Sequence, residues 1–140
     1  MATDKLSLRV ATPENVKFDD SADMVILRCI TGDMGILPNH EACSAILDYG
    51  VLRILGDGGE QRLAVFGGMA QVRDNVVTVL ANDAQWPQDI DVALVESEQE
   101  KILRRIRESV DALHIQKEQV LLRRTLVQIE VSSYPILAGK

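Results

Sequence analysis

The sequence predicts a mainly β fold with added helix: an N-terminal antiparallel β-sandwich, residues 1–86, followed by a C-terminal α-helical hairpin, residues 87–140. Short apolar runs separated by turn residues fill the first half, a pattern typical of sandwiches. After Pro87 the chain has no glycine or proline as far as Val131, and its apolar residues recur at helical spacing. Hydrophobic content is 46% and charged content 26%, so the chain can bury a core.

Five runs in the first half have the length and composition of strands: KLSLRV, DMVILRCI, GVLRIL, RLAVF and VVTVLA. In the first run polar and apolar residues alternate, so Leu6, Leu8 and Val10 share one face. Turn signals separate the runs, namely TPEN, GDGGE and RDNVV. Gly67 and Gly68 lie within a strand pattern, which predicts a bulge or a sheet corner at that pair.

The second half contains two amphipathic stripes: Val95, Ile102, Ile106 and Val110, then Ile115, Leu122, Leu126 and Ile129. Asp89 or Asp91 can cap the first helix, and Ser109 or Asp111 can cap the second. We therefore expect two antiparallel helices that can convert to an extended form. Pro135 ends the second helix or follows its end.

Charge and cysteine content exclude several classes of function. The net charge is −6, which disfavours nucleic-acid binding because phosphates require cations. Cys29 and Cys43 belong to no metal-binding spacing and are expected to be buried thiols. The start of the chain has no signal or transit character, and no apolar stretch approaches the roughly 20 residues of a membrane span. We therefore expect a soluble protein.

Motifs for catalysis are absent from the sequence. The segment GDGGEQ lacks the lysine of a phosphate-binding loop and reads as a hairpin turn. His40 lies near Cys43, but no third residue completes a hydrolase site, so this function ranks last. The pairs Arg104–Arg105 and Arg123–Arg124 fit either solvated helix faces or contacts with an acidic protein or a nucleotide phosphate.

Several segments together resemble the epsilon subunit of the bacterial rotary ATP synthase. GDMGILPNH fits that family's G-x-x-G-x-x-P-x-H, and YGVLRI, FGGMAQVRDNVVTVLA and DID follow in the family's order. The resemblance covers nearly the whole chain. It implies a non-catalytic rotor subunit that binds the gamma subunit and the polar loops of the membrane c-ring. Such a subunit is peripheral, on the cytoplasmic face of the bacterial cell membrane.

The resemblance also assigns residues to two kinds of contact. The c-ring contact comprises Gly32, Asp33, Met34, Gly35, Pro38 and His40. The hairpin can rise into the catalytic head of alpha and beta subunits and restrain ATP hydrolysis. The residues implied for contact with acidic beta-subunit loops are Lys101, Arg104, Arg105, Arg123 and Arg124.

Some members of that family bind ATP at the hairpin through Ile-Asp-x-x-Arg-Ala and arginines of the second helix. Ile90, Asp91 and Arg124 occupy three of the matching positions, but Leu94 and Gln128 stand where arginines are expected. The isolated protein is therefore expected to bind ATP weakly or not at all, and to need no cofactor. The alternative function is a stand-alone nucleotide-sensing module that uses the helical arginines.

Overall fold

The computed structural model describes residues 5–133 of the chain. The strands are β1 (Leu6–Ala11), β2 (Val16–Ala22), β3 (Met24–Cys29), β4 (Gly32–Ile36), β5 (Cys43–Gly56), β6 (Gly59–Arg73), β7 (Val76–Ala81) and β8 (Ala84–Gln85). A 3₁₀ turn, Pro87–Asp89, leads to α1 (Val92–Glu108) and α2 (Ala112–Ser133). This order confirms the predicted sandwich followed by a helical hairpin. The helix end predicted at Pro135 lies outside the described residues.

The strands form one hydrogen-bonded sheet in the order β2-β1-β7-β6-β5-β3-β4, with β8 beside β6. β5 and β6 are 14 and 15 residues long and pair along their length, so they run through both layers of the sandwich. The first layer consists of β2, β1, β7, the end of β6 and the start of β5. The second layer consists of β8, the start of β6, the end of β5, β3 and β4.

Gly67 and Gly68 lie where β6 passes from one layer to the other. Before this pair β6 bonds to β8, and from Gly68 onward it bonds to β7. Their φ angles are 80° and 134°. A Cβ at Gly68 would lie 2.2 Å from the backbone oxygen of Leu80, so only glycine fits there. The sheet therefore turns at this pair, as the sequence predicts.

One strand pair departs from the predicted antiparallel arrangement, because β1 and β7 run parallel. Parallel neighbours need a long connection between them, and here the chain from β2 to β6 supplies it. The main core lies between the layers. In β1, Leu6, Leu8 and Val10 all face this core, which confirms the predicted shared face.

The hairpin packs on the outer face of the second layer and forms a second apolar cluster there. Its buried members are Val51, Ala64, Phe66, Ile90, Val95, Val127 and Val131. Successive residues of β5 serve the two clusters: Leu52 faces the main core, whereas Val51 faces the hairpin. This two-sided burial explains why the run GVLRIL is almost continuously apolar.

The hairpin turns at residues 109–111, between α1 and α2. The side chain of Asp91 caps α1 by accepting a hydrogen bond from the N–H of Leu94 at 3.2 Å. Asp111 accepts from the N–H of Leu113 at 3.0 Å, in the first turn of α2. Two separate helices therefore form the hairpin, and two of the predicted caps are used.

The predicted apolar stripe of α2 is partly wrong. Leu126 is 51% exposed, whereas its neighbour Val127 is buried against the second layer. Val110, assigned to the stripe of α1, lies in the turn and is fully exposed. Because α2 contacts α1 over part of its length and the sandwich over another part, no single stripe describes its buried face.

Candidate interaction surfaces

An apolar row crosses the outer face of the first layer. Ile46 of β5 lies opposite Met69 of β6, which lies opposite Leu80 of β7. The N–H of Ile30 donates to the backbone oxygen of Ile46 at 3.0 Å and extends this row. All four side chains are more than half exposed, at 51% to 60%. We call these four residues the apolar row.

A polar row bounds the apolar row along the strands. Ser44, Gln71 and Thr78 are cross-strand neighbours of one another. Each lies two residues from the member of the apolar row on its own strand. Single exposed apolar side chains are common on protein surfaces, but adjacent ones bordered by polar residues mark an interaction site. The apolar row is therefore the candidate docking surface of the sandwich.

A groove of about 730 Å³ adjoins the apolar row. Its lining includes the apolar side chains of Met69 and Leu80 and the polar side chains of Asp48, Tyr49 and Arg123. Because Arg123 belongs to α2, the groove lies between the sandwich face and the hairpin. A molecule that occupied the groove would contact both.

Arg123 holds α2 to the sandwich at the groove. Its guanidinium forms an ion pair with Asp48 and lies 4.9 Å from the ring centroid of Tyr49. Asp48 also accepts a hydrogen bond from the N–H of Tyr49 at 2.8 Å, which fixes the carboxylate. The cation therefore has both a charged partner and an aromatic one on β5.

Arg124, the next residue of α2, also pairs with a carboxylate and an aromatic ring of the sandwich. It bonds Asp83 at 2.8 Å, and its guanidinium lies 4.0 Å from the ring centroid of Phe66. One helical turn later, Gln128 donates to the side chain of Gln85 at 2.7 Å. We call the pairs Arg123–Asp48 and Arg124–Asp83 the arginine latch.

Arg28 of β3 bridges β4 to α2. It lies 3.4 Å from Asp33 and 3.4 Å from Glu130. Its side chain crosses Gly50, where an added Cβ would approach it within 2.5 Å. Burial lowers the pKa of Arg28, but the facing carboxylates of Glu130 and Asp33 outweigh this and raise it. Arg28 therefore connects Asp33, the acid predicted to face a partner, with Glu130 of the hairpin.

The residues predicted for the c-ring contact do not form one corner. The segment Gly32–Ile36 is an edge strand, and Asp33 lies at its start, near the β3–β4 turn. Pro38 and His40 lie beyond its other end, where His40 is near Cys43 at the start of β5. The strand separates the two groups by about 13 Å at roughly 3.3 Å per residue. The apolar and glycine-rich pattern did not distinguish a short edge strand from a turn.

Within β4 the remaining members of this predicted set have different surroundings. Met34 packs against the main core. Gly35 is exposed, and an added Cβ there would meet the Met24 side chain at 2.7 Å. Gly32 has a φ of 121° and begins the strand beside the turn. Only Gly32 and Asp33 therefore lie next to the apolar row at Ile30.

The five basic residues predicted for the hairpin divide into two groups. Lys101 and Arg104 are exposed on α1. Arg105 bonds the buried carboxylate of Glu118 at 2.9 Å, and this hydrogen bond raises the pKa of Arg105. Lys101 also lies 3.9 Å from Glu98 of α1, so together with the arginine latch four of the five cations have a carboxylate partner in the same chain.

The residues predicted for nucleotide binding are occupied by structural contacts. Ile90 belongs to the second apolar cluster, Asp91 caps α1, and Arg124 pairs with Asp83. At the two substituted positions, Leu94 is 59% exposed and Gln128 bonds the sandwich. A phosphate would have to displace Asp83 before Arg124 could bind it.

The geometry of Cys43 and His40 does not suit a catalytic dyad. The Sγ of Cys43 lies 4.0 Å from Nδ1 of His40, and the same nitrogen lies 2.8 Å from the carbonyl oxygen of Glu41. A nitrogen that donates to a carbonyl does not accept a thiol proton. Burial raises the pKa of the Cys29 thiol, and the Asp33 carboxylate adds to this effect, so Cys29 is not an activated nucleophile.

Two further kinds of feature are absent from residues 5–133. No cluster of three or more His, Cys, Asp or Glu side chains able to hold a metal occurs in this part of the chain. Among its helices, none combines the length and the apolar character needed to cross a bilayer.

Sequence reasoning missed the apolar row and the latch carboxylates. A signal for the row was present: Met69 and Leu80 lie in FGGMAQV and VVTVLA, where apolar residues occupy both alternating positions. Such strands present apolar side chains on both faces. Asp48 and Asp83 had no comparable signal, because their partners lie 75 and 41 residues away.

Comparison with known proteins gives a consistent result. Residues 5–87 match the family model of the ATP synthase delta/epsilon chain, beta-sandwich domain. The ATP synthase epsilon chain of Prochlorococcus marinus is 42% identical over 106 residues, covering 76% of this chain and 78% of the relative. That of Brevibacillus brevis is 35% identical over 129 residues, covering 91% and 98%.

Solved structures share the fold. A chain of the Euglena gracilis mitochondrial ATP synthase, in its OSCP/F1/c-ring structure, matches with a TM-score of 0.84 at 20% identity, covering 96% of this chain and 84% of that one. A chain of the central stalk and c-ring structure from Tetrahymena thermophila matches with a TM-score of 0.61 at 13% identity, covering 95% and 100%. At these identities the likeness establishes the fold.

Proposed function

This chain belongs to the ATP synthase epsilon family, and from that premise we propose that it docks in the central-stalk rotor through the apolar row. It is an accessory, non-catalytic subunit of the ATP synthase complex. The observation that carries the proposal is the asymmetry of the sandwich. The hairpin covers the outer face of the second layer, whereas the outer face of the first layer carries exposed apolar residues. The nucleotide-sensing alternative is not favoured.

The proposed partner of the apolar row is the gamma subunit. Gly32 and Asp33, at the start of β4, adjoin the apolar row at Ile30. They are proposed to contact the polar loops of the c-ring. Exposed ion pairs contribute only about 0 to 1 kcal/mol, so Asp33 would adjust this contact rather than dominate it. The chain would then be peripheral, on the cytoplasmic face of a bacterial membrane, and Pro38 and His40 would lie away from the ring.

The hairpin is proposed to regulate ATP hydrolysis. Inhibition requires its basic residues to reach acidic loops of the beta subunits in the catalytic head. In the docked hairpin, Arg105, Arg123 and Arg124 are bound to Glu118, Asp48 and Asp83 of the same chain. The docked form is therefore the non-inhibiting form, and the carboxylates of the chain compete with those of the head.

Replacing Met69 by glutamate tests the docking surface. A carboxylate in the centre of an apolar interface loses its hydration and removes the apolar contact of the methionine, whether or not it pairs with Arg123 of the groove. We expect Met69→Glu to weaken binding of the isolated gamma subunit about tenfold or more, as for other interface centres. Isothermal titration calorimetry of the full-length chain with gamma measures this change.

Gln71→Glu is the matched control for this variant. Gln71 lies on the same strand and the same face, two residues from Met69, but in the polar row. The control adds the same charge and is expected to bind gamma as the wild type does. Equal weakening by both variants would show that net charge, and not the apolar row, governs docking.

A further inference from the structure

Arg123 takes part in both the hairpin latch and the docking groove. It hydrogen-bonds Asp48 through Nη2 and lies over Tyr49, yet its side chain is 51% exposed. It lines the groove together with Asp48, Met69 and Leu80. Because part of the guanidinium is exposed, a carboxylate that enters the groove can reach Arg123 and compete with Asp48 for it.

The lining of the groove indicates the chemistry of its occupant. Met69 and Leu80 favour an apolar side chain, whereas the exposed part of the Arg123 guanidinium favours a carboxylate. We propose that the groove receives an apolar side chain of the stalk partner together with a neighbouring carboxylate, which competes with Asp48 for Arg123. This inference rests on the proposed docking of that partner at the apolar row.

Such competition couples docking to the state of the hairpin. A partner that takes Arg123 from Asp48 removes one of the two ion pairs of the arginine latch, so docking weakens the hold on α2. By linkage, loss of the Asp48 carboxylate strengthens docking by the same factor. Arg124 does not line the groove, so its pair with Asp83 is not subject to this competition.

Asp48→Asn and Asp83→Asn form a matched pair for the test. Each change removes one carboxylate of the latch. Each asparagine keeps an oxygen that accepts the local backbone N–H, which Asp48 takes from Tyr49 at 2.8 Å and Asp83 from Ala84 at 2.9 Å. Each variant removes the charge of one latch carboxylate, but only Asp48 lines the groove. Calorimetric titration of each full-length variant with the isolated gamma subunit gives the affinities.

We expect Asp48→Asn to bind gamma about 3- to 5-fold more tightly than the wild type, the range of a part-exposed ion pair. Asp83→Asn should bind as the wild type does. Arg123→Gln should bind several-fold more weakly, and adding Asp48→Asn to it should change nothing further.

Equal affinities of Asp48→Asn and Asp83→Asn would overturn the coupling, as would unchanged binding by Arg123→Gln. If both asparagine variants bind gamma as tightly as the wild type does and only Met69→Glu binds more weakly, docking at the apolar row is supported. The competition for Arg123 is then rejected. Absence of any binding between the wild-type chain and gamma would reject the docking proposal itself, and the coupling with it.

Discussion

Gly68→Ala is expected to lower the free energy of unfolding by about 3 to 5 kcal/mol, the largest effect of any single change proposed for this chain. The φ of Gly68 is 134°, a region that other residues rarely adopt. Its Cβ would also lie 2.2 Å from the backbone oxygen of Leu80 and 2.8 Å from Cα of Ala81. Because both are backbone atoms, relief requires β6 and β7 to separate. Urea unfolding followed by circular dichroism measures the change.

Gly58→Ala serves as the control for this substitution. Gly58 lies in the β5–β6 turn, and no atom lies within 4 Å of the position its Cβ would take. Its replacement is expected to change stability by no more than about 0.5 kcal/mol. A stability of Gly68→Ala within about 1 kcal/mol of the control would mean that the layers do not turn at this glycine pair.

The double variant Asp48→Asn/Asp83→Asn is expected to raise the opening of the hairpin about 5- to 30-fold. Both ion pairs of the arginine latch are part-exposed, so each contributes up to about 1 kcal/mol. Their loss leaves the apolar contacts of Val127 and Val131 in place, and the helices remain folded. Hydrogen exchange of the backbone amides of α2 in the full-length chain measures the opening.

Asp74→Asn is the control for the latch variant. Asp74 is exposed in the β6–β7 turn and contacts Arg73 at 3.6 Å. It is expected to leave the protection of α2 unchanged. If the double variant also leaves that protection unchanged, the arginine latch does not hold the hairpin, and apolar packing alone does.

Periodic parts of the fold were predictable from the sequence. The alternation of Leu6, Leu8 and Val10 identified β1, and glycine within a strand pattern predicted the bulge or corner at Gly67 and Gly68, where both φ angles are positive. The change from short apolar runs to helical spacing separated the sandwich from the hairpin. In each case one local pattern fixed the conformation, because each of these elements buries a regular set of side chains.

Other parts depended on contacts that no local pattern records. β2 contributes an edge strand whose middle is largely exposed and acidic, so it lacks the apolar alternation that identifies a strand. β4 contains two glycines and reads as a turn, yet backbone pairing with β3 makes it a strand. The buried face of α2 followed from the positions of α1 and the second layer. The latch likewise joins residues far apart in the chain.

We propose, as the central claim, that Asp48 and Asp83 hold Arg123 and Arg124 of α2 away from the catalytic head, where these arginines would restrain ATP hydrolysis. ATP hydrolysis by the assembled alpha–beta–gamma head tests it most directly. The rate is measured with the full-length chain, with Asp48→Asn/Asp83→Asn and with a chain ending at Pro87. We expect the head to hydrolyse ATP several-fold more slowly with the double variant than with the wild-type chain. Hydrolysis should be fastest with the shortened chain. Equal rates for the double variant and the wild type would contradict the claim.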